Sequence, residues 1–386
     1  MEQNIIPFKN LKHLKTYEYT SSDLSITRTY ILNPYIYENI IKWIPKTIAP
    51  NVITLSGFLF IIIQVIICAI YAPTMTERDV PSWVFATSAI CLFCYQTLDN
   101  IDGKQARRTK QCSPLGELFD HGVDALTCTL GSISWMTACA QGMTIYSLMI
   151  LVAPMVPFIY CTWEEYHVGG LNLGYVNGPI EGLLFVQSGQ WICAIGGQDF
   201  VHQTLKDFLH INAIPDCINN LKIHEALNIF TMGLVLLNLT SNIKTVFAKV
   251  TQTTERVHAF VIELIPFYIF FIAYSTIVIY SDVVKENVYT YVVGITLLFG
   301  YMGSSITLRF LLKSPIKIHH PLLYLFTTNA MAAYFGVEKT IQLRLLQFTT
   351  GIIILYYAYF VYVITNTIST FLNIGILRIL PKEHQE

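Results

Sequence analysis

The sequence predicts an all-α, polytopic integral membrane helix bundle of about ten transmembrane helices. Hydrophobic residues make up 53% of the 386-residue chain and charged residues only 13%, against roughly 25% charged in an ordinary soluble domain. Apolar runs of near-spanning length recur between residues 52 and 370. None alternates like a strand, and lipid offers no partner for unpaired backbone groups, so helices are the natural solution.

Residues 1–51 are polar and mixed in charge, with no short apolar core near Met1. A cleavable signal peptide is therefore not expected; this stretch reads as a cytosolic segment with interfacial helices, and the first span serves as the targeting signal. The runs then fall at about 52–71, 82–98, 122–141, 144–162, 178–196, 224–240, 259–280, 288–308, 320–337 and 350–370, the fifth and sixth being weak. Asn51, after Ala49-Pro50, is the expected N-cap of the first span. Ser113-Pro114 reads as an N-cap followed by proline at the first helical position, where the missing N–H costs nothing. Residues 197–223 read as a luminal loop with a short helix.

Lysine and arginine set the orientation. With ten spans and the N-terminus inside, 18 of the 24 basic residues fall on one side, together with both termini and the charged stretch 99–121. That side is expected to be the cytosol. The nine cysteines mostly lie inside apolar runs, and Cys91 and Cys94, a C-x-x-C within the second span, read as small hydrophobes. With a net charge of −1 and no basic tract, no nucleic-acid partner is expected.

One polar stretch stands out, "LDNIDGKQARRTKQCSPLGELFDHGVDAL" at 98–126, with five acids, four bases and a histidine. Asp99 and Asp102 are three residues apart at the end of the second span, and Asp120 and Asp124 four apart at the start of the third. Each spacing places a pair on one helix face, so two antiparallel helices point four carboxylates at one another. Such a cluster repels unless protons or cations intervene. All-oxygen donor sets suit hard cations such as Mg²⁺, Mn²⁺ or Ca²⁺, and four carboxylates suffice for two ions, the arrangement that clamps attacking and leaving oxygens in phosphoryl transfer. Gly103 and Gly116 leave bare backbone beside the acids, and Arg107 offers a planar fork for phosphate. A divalent-cation transporter also places acids in spanning helices, but there they lie deep and on several helices rather than at one rim beside an arginine.

The full string, Asp99, Asp102, Gly103, Ala106, Arg107, Gly116, Asp120 and Asp124, closely resembles the signature of the CDP-alcohol phosphotransferases. "PKTIAPNVITLSG", "FDHGVDA" and "WEEYHVGGLNLGYVNGPIEGLL" at 163–184 resemble the eukaryotic choline/ethanolamine phosphotransferase branch, and the likeness is firm over about residues 17–185. It implies catalytic helices over 52–240, C-terminal transmembrane helices over 241–386, and a homodimer. It implies two metal ions, Mg²⁺ or Mn²⁺, on Asp99, Asp102, Asp120 and Asp124. The substrates implied are CDP-choline or CDP-ethanolamine and diacylglycerol, at the endoplasmic reticulum membrane or the Golgi, with the site facing the cytosol. Family members that use inositol or glycerophosphate as acceptor are the alternative, but they are generally shorter and lack the WEEYH-type segment.

Two groups are candidates for the base that takes the acceptor's proton. Asp124 belongs to the signature, but a metal-bound acid is a poor base; His121 has an unperturbed pKa near ~6.5 and is favoured. In the family the asparagine matching Asn51 lies near the nucleotide. Trp163, Glu164, Glu165 and Tyr166 read either as a box for a quaternary ammonium, with Glu164 and Tyr166 at its centre, or as interfacial anchors. Asn177 and Glu181 either border the nucleotide or form a turn and helix start.

Overall fold

The computed structural model describes residues 5–18, 20–210 and 215–379. Ten helical rods correspond to the ten apolar runs: α1 (Pro50–Tyr71), α2 (Ser82–Thr109), α3 (Pro114–Leu130), α4 (Ile145–Val168), α5 (Leu183–Gly196), α6 (Ile223–Lys249), α7 (Ile265–Tyr280), α8 (Val288–Leu311), α9 (Pro321–Tyr334) and α10 (Lys339–Leu372). Among the described residues six helices are long and apolar enough to cross a membrane: α1, α4, α6, the Thr253–Tyr280 segment that contains α7, α8 and α10. Of the other four, α3, α5 and α9 are shorter than a full span, with 17, 14 and 14 residues. The fourth, α2, carries the charged signature in its last turns.

The boundaries differ from the hydropathy where the polar signature begins. α2 runs on through Thr109 and α3 starts at Pro114, so nearly all of the charged stretch is helical and only residues 110–113 turn. Hydropathy ends a span at the first charge, but these charges have partners or face a cleft and do not interrupt the backbone ladder. Lys110 closes α2 in the left-handed conformation, φ 58°, and the Gln111 N–H bonds to the Ala106 carbonyl at 2.8 Å. Ser113 caps α3 as expected, its Oγ accepting from the Gly116 N–H at 3.1 Å, with Pro114 in the first turn. The third run is not continuous, since α3 ends at Gly131 and a short helix, Ile133–Cys139, completes it. The 197–223 segment folds as short turns of helix at Gln198–His202, Leu205–Leu209 and Asp216–Asn219.

The cap of α1 also departs from expectation. Ala49, in extended conformation, precedes Pro50, and Asn51 lies inside the first turn. Its side chain is thereby freed, and Nδ2 donates to the Ile376 carbonyl at 2.9 Å.

Small residues set the close approaches. A Cβ on Gly57 of α1 would sit 3.2 Å from Leu98 Cβ of α2, so the two helices are in near-backbone contact there. α8 is the central helix, 89% buried across its apolar window. It packs along α3, where a Cβ on Gly300 would collide with Leu126 at 2.7 Å. One large apolar core unites the rods, and a smaller cluster of Leu32, Tyr37, Ile41, Ile53, Ile101 and Ile180 seats the N-terminal segment against α1 and α2. A two-stranded parallel sheet, β1 (Ser21–Asp23) with β2 (Leu171–Leu173), ties that segment to the chain after α4, with Ser22 opposite Asn172. The eight described cysteine thiols are free.

Candidate active site

α2 and α3 face each other at their carboxylates. Asp99, Asp120 and Asp124 each offer a carboxylate oxygen, and the three oxygens lie within 4.8 Å of one another. Asp99 Oδ1 and Asp120 Oδ1 are buried without a hydrogen-bond partner. Asp124 Oδ1 accepts from the Tyr95 hydroxyl at 2.5 Å. Asp102, one turn along α2, is buried and accepts a short hydrogen bond from Thr54 Oγ1 of α1. So three aspartates share one cluster, and the fourth stands beside it, anchored to α1.

Orphaned carboxylate oxygens at this separation repel strongly, and a buried polar atom without a partner is costly. A hard divalent cation satisfies both demands, and the all-oxygen donor set fits one.

Asp102 and Asp120 open onto a solvent-open cleft lined also by Asn51, Thr54, Ala106 and Arg107. Gly103 and Gly116 line it too. A Cβ on Gly103 would meet nothing closer than Arg107 Nη1 at 3.6 Å, and one on Gly116 nothing closer than Ser113 Oγ at 3.4 Å. Packing therefore does not demand either glycine, and what their bare backbone preserves is space in the cleft. Arg107 makes no ion pair among the described residues. Its neighbour Arg108 is spent on structure, donating to the Ile41 and Ile44 carbonyls at 2.6 and 2.5 Å.

A second cluster adjoins the first. Glu117, His121 and Glu165, all buried, bring one ligand-type atom each within 4.8 Å. His121 Nδ1 lies 3.8 Å from Glu165 Oε2 and 3.4 Å from Thr307 Oγ1 of α8. With Nδ1 turned to these two groups, Nε2 is the nitrogen left to act as an acceptor.

The four residues of the WEEY stretch do not converge, because successive residues of a helix point about 100° apart. Trp163 is fully buried and its Nε1 donates to Glu263 Oε2 at 3.1 Å. Glu164 accepts from Asn242 Nδ2 at 2.6 Å, and Tyr166 donates to the Ser314 carbonyl at 3.2 Å. Only Glu165 faces His121. Glu164 and Tyr166 thus stand apart from the cleft, as packing residues of α4. Asn177 and Glu181 have local partners. Asn177 Oδ1 caps the Gly178–Gly182 turn by accepting from the Ile180 N–H at 3.0 Å, and Glu181 Oε1 accepts from Ser25 Oγ at 2.6 Å. Both clamp the N-terminal segment to the start of α5, and neither lines the cleft.

Sequence reasoning missed Thr54, Tyr95, Glu117 and Thr307, and it read Glu165 with the ammonium box or the interfacial anchors, not beside His121. Glu117 was within reach, one turn before His121 on the same face of α3. Thr307 carried no signal, since 186 residues separate it from His121.

A helical membrane bundle that buries a carboxylate cluster beside a solvent-open cleft and an unpaired arginine is the framework of a membrane-embedded transferase acting on a phosphorylated substrate. Comparison with known proteins agrees. Residues 47–174 match the family model for CDP-alcohol phosphatidyltransferase. An uncharacterised class-I member of that family from Schizosaccharomyces pombe is 32% identical, over 92% of each chain. A choline/ethanolaminephosphotransferase of Arabidopsis thaliana is 31% identical over 96% of this chain and 97% of the relative. A cholinephosphotransferase of Saccharomyces cerevisiae is 29% identical over 98% and 99%. The chain belongs to the CDP-alcohol phosphatidyltransferase family, and it is an enzyme.

Proposed function

We propose that this enzyme transfers phosphocholine or phosphoethanolamine from CDP-choline or CDP-ethanolamine to diacylglycerol, giving phosphatidylcholine or phosphatidylethanolamine and CMP. The observation that carries the reading is a cleft lined by Asp102, Asp120, Glu117 and Arg107, with the Asp99–Asp120–Asp124 cluster reaching it through Asp120 and the Glu117–His121–Glu165 group through Glu117. The names of the Arabidopsis and Saccharomyces relatives support the head groups.

In this reading Asp99, Asp102, Asp120 and Asp124 hold two Mg²⁺ or Mn²⁺ ions, which when bound neutralise charge on the diphosphate. Arg107 grips a phosphate oxygen with its fork. Gly103, Ala106 and Gly116 leave room for the nucleotide beside Asn51. The diacylglycerol oxygen forms a bond to the phosphorus that bears choline or ethanolamine. The bond from that phosphorus to the bridging oxygen breaks, and CMP leaves with the electron pair. The hydroxyl proton passes to His121 Nε2. Glu165 and Thr307 orient the ring through Nδ1, and the Glu165 carboxylate offsets the imidazolium as it forms. Asp124 is already committed to Tyr95 and to the cluster, which favours His121 as the base.

The excess of basic residues on one side supports a cytosolic position for the site in a multi-pass protein of the endoplasmic reticulum membrane. The deciding assay is purified protein with labelled CDP-choline or CDP-ethanolamine, diacylglycerol and Mg²⁺ or Mn²⁺, scored for labelled lipid. Absence of lipid product with both donors, from a folded preparation, refutes the proposal.

A further inference from the structure

Between α8 and α9 the chain "KSPIKIHH", residues 313–320, carries a group of basic side chains that the reaction above does not use. Lys317 Nζ donates to the Tyr301 hydroxyl at 3.2 Å, and the ring of His320 stands edge-on to that of Tyr301 at 5.2 Å. Arg309, in the last turn of α8, is close enough that its charge, after burial, lowers the Lys317 ammonium below its usual range. Burial, and after it the charges of Lys317 and Arg309, pushes the His320 imidazole down to about 4. Four groups, Arg309, Lys317, His319 and His320, thus gather with no carboxylate paired to any of them among the described residues.

Three polar atoms here are buried without partners: Arg309 Nε, Ser314 Oγ and His320 Nδ1. A basic residue in a helix's last turn offsets the dipole, which accounts for Arg309 alone. It does not account for packing a lysine and a buried histidine against it while leaving a hydroxyl unmet. Basic side chains packed together at the cost of desolvation, with no acid beside them among the described residues, fit a bound anion. The place narrows the choice. The loop joins two helices of the bundle at the same end as the active site, since Tyr166 donates to the Ser314 carbonyl and Thr307, two residues before Arg309, lies 3.4 Å from His121. Basic pockets between helices at the headgroup level are where lipid phosphates dock.

We propose that Arg309, Ser314, Lys317 and His320 form a second binding site that takes the phosphate of an anionic phospholipid headgroup. It is a site for a resident lipid, separate from the substrate cleft, and it does not depend on which CDP-alcohol the enzyme uses.

Native mass spectrometry of the full-length protein, titrated with phosphatidylglycerol or phosphatidylcholine, tests it. The wild type should retain phosphatidylglycerol with about a tenfold preference. Lys317→Gln should abolish that preference while the melting curve stays in place, and Arg309→Gln should do so if it folds. Lys285→Gln, at the exposed Asp282 pair, should behave as wild type. An undiminished preference in folded Lys317→Gln overturns the site. Displacement of the lipid by millimolar inorganic phosphate or CMP overturns the lipid assignment and makes the pocket a soluble-phosphate subsite.

Discussion

Two adjacent glutamates on α4 offer a sharp test, because only one of them faces the site. Glu165 Oε2 lies 3.8 Å from His121 Nδ1, whereas Glu164 is turned to Asn242. At that separation and an effective dielectric of about 20, a full charge pair is worth about 4 kcal/mol. If half a proton's charge has reached the imidazole in the transition state, the carboxylate contributes about 2 kcal/mol, roughly 30-fold in rate. Glu165→Gln keeps the shape and removes the charge, so kcat should fall about 30-fold while KM for the CDP-alcohol changes little. Glu164→Gln still offers an oxygen to Asn242 and should keep kcat within about twofold. Steady-state kinetics of both variants, with thermal melting to confirm folding, makes the measurement. Equal losses in the two variants, or more than half of the activity left in Glu165→Gln, would refute the orientation of His121 argued above.

Chelation with EDTA should abolish turnover and Mg²⁺ or Mn²⁺ restore it, and Asp99→Ala, Asp102→Ala or Asp120→Ala should each remove nearly all activity; robust turnover in excess EDTA contradicts the metal reading. His121→Ala should cut kcat by roughly 10²–10⁴-fold with nucleotide affinity retained, and if Asp124→Ala instead binds the CDP-alcohol normally yet cannot react, Asp124 is the base. Gly103→Ala and Gly116→Ala place a methyl group in the cleft without a clash, so binding of the CDP-alcohol, measured by titration, should weaken several-fold at unchanged melting temperature; a loss of stability with intact binding would make the glycines packing residues. A cysteine engineered at Lys110 should resist an impermeant thiol reagent added outside sealed, right-side-out vesicles, whereas one in the 72–81 loop should react; the reverse pattern inverts the topology.

Much of this protein was legible in one dimension because its strongest constraints are local. Unpaired backbone cannot face lipid, so each apolar run had to be a helix. Ser113-Pro114 had to start α3, because cap and proline act within a single turn. The pairs Asp99–Asp102 and Asp120–Asp124 had to share faces, because the helical period sets which side chains are neighbours. Local rules stop at the rotation of one helix against another. A turn of about 100° decides between Glu164 and Glu165, and the WEEYH string reads the same either way. The choice rests on how α4 packs between α6 and α8, with Asn242 claiming one glutamate and the pocket around His121 the other. A Cβ on Gly303 of α8 would meet Phe158 of α4 at 2.9 Å, so a close approach holds α4 against α8. Packing of the bundle likewise brings Thr54 to Asp102 from 48 residues away, and Ile376 to Asn51 from 325. Contacts across such separations follow from side-chain volume in the assembled bundle, which no spacing within one helix encodes.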